Sequence, residues 1–224
     1  MGKNKLKKFD DLNNFSNVIQ PKIEELKKDY LHKGLWRRNI FKNDNEICLE
    51  LGCGKGEYTV GLAKLNPDIN FIGVDIKGAR IWRGAKTTND ENIENVRFLR
   101  TKIDFIDHFF TKDEVSDIWL TFSDPQPKRP RKRLTSPLFI DRYKKILCPN
   151  GIIHLKTDSN LLYHYTLDEI KENNYKIIEN SDNIYSELIP RASEKLKETL
   201  SIQTFYESLW LKENKTIKYI AFVV

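Results

Sequence analysis

From residue 46 the chain repeats one unit: a short apolar run, a turn, then a stretch with helical spacing. Buried strands are expected over 46–51, 70–75, 95–99, 115–121 and 151–156. Helices are expected between and after them, over 57–65, 77–88, 103–110, 137–147 and 160–172. This alternation requires a mostly parallel sheet, because each strand returns to the same edge through a helix. Strands covered on both faces read as continuous apolar runs, as in Glu46-Ile-Cys-Leu-Glu-Leu51. Beyond residue 173 the pattern changes to strand-like segments over 175–179, 200–206 and 217–223, with a polar loop over 180–198. The first 45 residues differ from all of this. They are polar and basic, with Lys3, Lys5, Lys7 and Lys8 at the start and a short helix expected over 21–31 after Pro21. The expected organisation is a basic N-terminal extension, 1–45, followed by one α/β domain, 46–224.

Composition excludes several classes. A chain of 224 residues with 39% apolar residues can bury one large core. No run approaches the ~18 apolar residues of a membrane span, so no membrane partner is expected. The N-terminus MGKNKLKKFDD has no apolar stretch of the kind a secretory leader needs, and Leu6 stands where a myristoylation signal wants Ser or Thr. Cys48, Cys53 and Cys148 are an odd count without metal spacing, which fits reduced thiols and a cytoplasmic protein. The four histidines are scattered, so no metal site is expected. The net charge is +6, from 38 cations and 32 anions. That surplus permits an acidic partner without requiring one.

The turn after the first strand reads Gly52-Cys-Gly-Lys-Gly56. A glycine loop there is where a doubly wound sheet receives a nucleotide. A dinucleotide fingerprint needs a third glycine at 57, and that residue is Glu57. Glu50 enters the loop from the strand, and Asp75 ends the next strand, where a carboxylate can accept both ribose hydroxyls. Acids around a glycine loop, without a phosphate-binding Lys-Ser/Thr pair, suit a cationic nucleoside that carries no phosphate. S-adenosylmethionine fits that description. Asp104 follows the third strand, where it is either a cofactor contact or a helix N-cap.

The fourth strand leads into Phe122-Ser-Asp-Pro-Gln-Pro-Lys-Arg-Pro-Arg-Lys-Arg-Leu-Thr135. Pro125 and Pro127 stiffen the backbone around Gln126 and fix Asp124 at the mouth of the crevice. Lys128 to Arg133 places five cations in six residues. Beside a methyl-donor site, such a run reads as an arm that grips phosphates and delivers a nucleic acid. Lys77, Arg80, Arg83 and Lys86 add a basic row along one face of the expected helix.

Taken together, LELGCGKGEYT, FIGVDIKGAR, ENVRFL, TFSDPQPKRPRKRLTSP, HLKTDS and TFYE resemble the bacterial tRNA (guanine-N7-)-methyltransferase family, from about residue 46 to the C-terminus. The resemblance implies a Rossmann-like class I S-adenosylmethionine-dependent methyltransferase fold, with a mostly parallel seven-stranded sheet and helices on both faces. It implies methylation of the variable-loop guanosine at tRNA position 46. It assigns Glu50, Gly52, Asp75, Asp104 and Asp124 to the cofactor, with Asp124 also catalytic. It assigns Lys128, Asp158, Thr204, Phe205, Tyr206 and Glu207 to the substrate, and Arg129, Arg131, Lys132 and Arg133 to RNA contact. Gln126 stands where many members carry Trp. The basic loop is about two residues shorter than theirs, and Asp75 replaces their frequent Glu.

The implied chemistry needs few groups. Guanine N7 offers an in-plane lone pair and carries no proton, so no strong base is required. Alignment and carboxylates facing the developing ring charge should do most of the catalysis. Either Asp158 or Glu207 would read the guanine N1–H and exocyclic amine, and Phe205 and Tyr206 either stack on the base or pack in the core. Asp158 could instead cap the helix that follows. A monomer or homodimer is expected. Two other readings remain open on the residues alone: another RNA or DNA base methyltransferase (adenine-N6), and a non-catalytic RNA-binding protein on the same fold.

Overall fold

The computed structural model describes residues 2–22, 24 and 29–224, with the backbone alone for 2–6. The repeat seen in the sequence folds as an eight-stranded sheet in the order β1-β4-β3-β2-β5-β6-β8-β7. The strands are β1 Val18–Ile19, β2 Glu46–Leu51, β3 Ile69–Asp75, β4 Val96–Arg100, β5 Val115–Thr121, β6 Leu147–Thr157, β7 Lys176–Ser181 and β8 Lys218–Val223. All pairs from β1 to β6 are parallel; β6 with β8 and β8 with β7 are antiparallel. The helices are α1 Gly2–Asn14, α2 Glu57–Leu65, α3 Gly78–Asp90, α4 Ile106–Phe109, α5 Pro137–Tyr143, α6 Asn160–Glu172, α7 Glu194–Ser201 and α8 Phe205–Lys212. Two apolar layers cover the sheet. One includes Leu49, Ile72, Phe109, Tyr143 and Phe222; the other includes Cys48, Tyr58, Phe98, Trp119 and Tyr219. Every residue of β2 after Glu46 is buried, as a doubly covered strand demands.

The eighth strand comes from the N-terminal extension. Val18 pairs with Phe98 and Ile19 with Leu99, so the extension adds an edge strand to β4. Leu12 of α1 is fully buried, and the Trp82 indole N–H of α3 donates to Asp11 at 2.8 Å. Asn17 donates to the Ala85 carbonyl and the Thr88 hydroxyl at the far end of α3. Of the expected helix over 21–31, residues 23 and 25–28 lie outside the described set.

Several expected boundaries move. The helix expected over 137–147 ends at Tyr143, and Leu147 already pairs with Val115 in β6. The expected strand over 200–206 is instead the end of α7, a break at 202–204 and the start of α8, and much of the expected loop over 180–198 is helical. Ser193 and Thr204 explain this: each hydroxyl accepts the backbone N–H three residues on, from Leu196 and Glu207, and so starts a helix.

Candidate functional site

The loop after β2 turns three times through the left-handed region, at Gly52, Gly54 and Gly56 (φ 85°, 56° and 72°). A Cβ on Gly56 would lie 2.6 Å from the Phe98 ring, so the loop presses directly on the core. The amides of Gly52 and Cys53 both donate to the Val74 carbonyl. Asp75, next along β3, accepts the Gly54 amide at 3.0 Å and the Lys77 amide at 2.7 Å. The loop and the acid therefore hold each other. Glu50 lies below the loop, 3% exposed, and accepts the Thr59 hydroxyl. Burial pushes its carboxyl up to about 7, against the pull of the Thr59 hydrogen bond.

A cleft of about 440 Å³ opens at the C-terminal ends of these strands. Gly52, Asp75 and Asp104 line one part; Gln126, Arg129 and Lys132 line another. Asp104 caps no helix. Its carboxylate instead accepts the Lys132 ammonium at 3.0 Å, between exposed side chains. The hydroxyls of Thr101, on the cleft wall, and Ser123, beside Asp124, are buried with no hydrogen-bond partner among the described residues.

Asp124 is exposed and accepts the Gln126 amide at 2.9 Å, which closes a tight turn with Gln126 at φ 44°. The two prolines restrict the backbone of this turn, and this bond orients the carboxylate. Lys128, Arg129, Arg131 and Lys132 are exposed beyond it. Helix α8 packs against the start of α2 and against Phe122. The Phe205 amide donates to Glu57 of α2, the Lys55 ammonium lies 4.3 Å from the Phe205 ring, and Trp210 packs on Phe122. Phe205 and Tyr206 are each 50% exposed. Asp158, at the end of β6, is half-buried, and burial raises its carboxyl. It does not cap α6; Ser159 does.

These features can be set against known proteins. Residues 44–220 match the family model described as "Putative methyltransferase". The chain is 51% identical to a tRNA (guanine-N(7)-)-methyltransferase of Christiangramia forsetii, over 99% of this chain and 98% of that protein. It is 49% identical to one of Bacteroides fragilis, over 100% of this chain and 87% of that one. The chain belongs to the tRNA (guanine-N(7)-)-methyltransferase family. Among solved structures, one described as an antibiotic-related methyltransferase superposes with a TM-score of 0.60 at 13% identity, covering 93% of this chain and 97% of the other. That likeness concerns the methyltransferase fold alone.

Within this family member, two residues depart from their expected places. Arg133, expected to contact RNA, is 5% exposed; it donates to the Pro125 carbonyl and lies 4.3 Å from the Tyr165 ring. It braces the Asp124 turn and presents no face to a phosphate. Glu207, expected at the substrate and one of two candidates to read the guanine edge, is fully buried on α8. Both of its oxygens lie 2.9 Å from the Lys156 ammonium, and one also accepts the Tyr185 hydroxyl. Burial pulls Lys156 down to about 8, while Glu207 holds it up. Thr204 is committed to capping α8. Sequence reasoning missed Lys156, although a lone cation inside an apolar strand was a signal for it.

Proposed function

We propose that this chain transfers a methyl group from S-adenosylmethionine to N7 of a tRNA guanine, the variable-loop guanosine at position 46. One observation carries the reading: acids and cations share one cleft. Asp75 and Asp104 line it beside Gly52, and Arg129 and Lys132 line it next to the Asp124 turn. A cationic, phosphate-free nucleoside suits the acidic part, and an RNA backbone suits the basic part.

The residues present fit the cofactor. Two buried hydroxyls, of Thr101 on the cleft wall and of Ser123 beside Asp124, lack partners among the described residues. Asp75 would take the ribose hydroxyls, since its orientation is already set by two amides. Glu50 would supply negative charge beneath the loop toward the ammonium and sulfonium. Asp104 would line the adenine side. When bound, the cofactor supplies an electrophilic methyl group. The protein's part is then alignment and electrostatics. The Asp124 carboxylate, oriented by the Gln126 amide, would face the positive charge that the purine gains as N7 is alkylated. No base is needed, because N7 carries no proton. Asp158 is the carboxylate left to pair with the guanine N1–H and amine. Phe205 and Tyr206 offer exposed faces for stacking.

The test is direct. The protein is incubated with methyl-labelled S-adenosylmethionine and unmodified tRNA, and the tRNA is digested to nucleosides. Label in 7-methylguanosine is the expected result. Label in 6-methyladenosine, or none, overturns the reading.

A further inference from the structure

We propose that Lys156 is a positioning residue that ties the Asp124 loop to helix α8, and that Glu207 acts through Lys156 rather than on the guanine. The inference deepens the proposed methyl transfer and rests on it.

Lys156 touches both halves of the site with different atoms. Its backbone carbonyl accepts the Phe122 amide at 2.8 Å, where the chain leaves β5 for the Asp124 turn. Phe122 is held there in the left-handed region, at φ 50°. Its ammonium points to the other side and donates to the Leu200 carbonyl at 2.8 Å, the Ile202 carbonyl at 2.9 Å and the Glu207 carboxylate. Three N–H groups meet three acceptors, so the ammonium is fully satisfied. Leu200 lies in the last turn of α7, Ile202 is its C-cap, and Glu207 lies in the first turn of α8. Together with the Thr204 cap, this side chain thus sets where α8 begins and how it is rotated. The rotation matters because it sets Phe205 and Tyr206 outward, while Glu207 of the same turn points in.

Glu207 has no free face for a base. It is fully buried, and Lys156 and Tyr185 occupy its oxygens. Stability alone gives little reason for such a pair, since a buried ion pair is often replaceable by apolar residues of similar size. What apolar replacements do not reproduce is the directional hold on two backbone carbonyls and one helix turn. On this account the pair sets geometry.

The experiment is a double-mutant cycle in the full chain with Lys156→Met, Glu207→Leu and both together. Methyl transfer to tRNA, tRNA affinity, S-adenosylhomocysteine affinity and the melting temperature are measured. Each single variant should lose more than about tenfold in kcat/KM for tRNA, and the double variant should lose no more than the worse single, because the two residues act as a unit. The double variant should melt closer to the wild type than either single does, yet stay impaired in turnover. S-adenosylhomocysteine affinity should change less than about threefold, since the pair lies outside the cleft. Losses that multiply in the double variant, or a Lys156→Met variant with wild-type turnover, would return Glu207 to direct guanine contact. A double variant with wild-type turnover would make the pair merely structural. If the wild type fails to methylate guanine, the function reading fails instead; the tRNA affinities of the four proteins then still read the pin.

Discussion

The cofactor side and the substrate side of the cleft are built at different ranges along the chain. On the cofactor side, Asp75 is held by the amides of Lys77, 2 residues on, and Gly54, 21 residues back. Glu50 is held by Thr59, 9 residues away. On the substrate side, Lys156 reaches Leu200 and Glu207 across 44 and 51 residues. Tyr58 reaches Thr199 across 141, and Phe205 reaches Glu57 across 148. The first side is a local motif that folds with its own strand pair. The second exists only when the whole sheet is assembled. Variants on the two sides should therefore fail differently.

The largest expected effect lies where the two sides meet. Asp124→Ala should lower kcat by roughly 10²–10³-fold, the scale of removing one preorganised charge from a developing one. The residue is exposed, so the melting temperature should barely move. Single-turnover methylation with saturating tRNA reads the chemical step. A loss confined to tRNA affinity would put Asp124 on the binding surface instead.

Next comes the strain stored on the local side. Burial raises the Glu50 carboxyl from 4.5 to about 7. The folded state therefore holds a proton that the unfolded chain has lost between these values, and stability falls as pH rises through that window. Above pH 7 the ligand-free cost is about 3 kcal/mol. Glu50→Gln should stabilise the ligand-free protein by up to that amount at pH 8, with the gain vanishing below about pH 4.5. Chemical denaturation at the two pH values checks it. The same variant should bind S-adenosylhomocysteine more weakly, and the wild-type affinity should rise between pH 6 and 8 as the carboxylate forms.

This asymmetry also governed what the sequence disclosed. The parallel sheet, the glycine loop and the acids at 50, 75 and 104 were readable because apolar runs and their turns are contiguous. The two-residue strand Val18–Ile19 was not, since a run that short has no periodicity of its own and exists only by pairing with β4. The start of α8 was misread as strand for a related reason. Residues 200–206 carry apolar side chains but no breaker, and only the Thr204 cap and the Lys156 hydrogen bonds turn them into a helix start. Arg133 looked like its neighbours in a basic run. Its burial under Tyr165 depends on α6, a neighbour no local pattern announces.

On the substrate side, Phe205→Ala with Tyr206→Ala should weaken tRNA binding by about 1–3 kcal/mol per stacked base, with little change in melting because both rings are half exposed. Neutralising Lys128, Arg129 and Arg131 should flatten the salt dependence of tRNA binding by up to about 0.7–0.9 in slope for each phosphate left without its cation. Arg133→Ala should differ from all three. It should lower the melting temperature and leave that slope unchanged. A flattened slope from Arg133→Ala would mean that this side chain leaves its buried place when RNA arrives.

The smallest effect tests whether the two sides communicate at all. Lys132 and Asp104 form an ion pair across the cleft, between the basic arm and the wall carrying the acids. The pair is exposed on both sides and so contributes under about 1 kcal/mol to folding. Its consequence is for linkage. A phosphate that takes Lys132 leaves the Asp104 carboxylate to the cleft, so tRNA should tighten S-adenosylhomocysteine binding, by less than about fivefold at low salt. Lys132→Ala frees Asp104 permanently. The variant should therefore bind S-adenosylhomocysteine slightly better without tRNA and show no further gain when tRNA is added. Titrations with and without tRNA at two salt concentrations decide the point. A tRNA effect that persists in the variant would mean the two sides are coupled through the sheet rather than across the cleft.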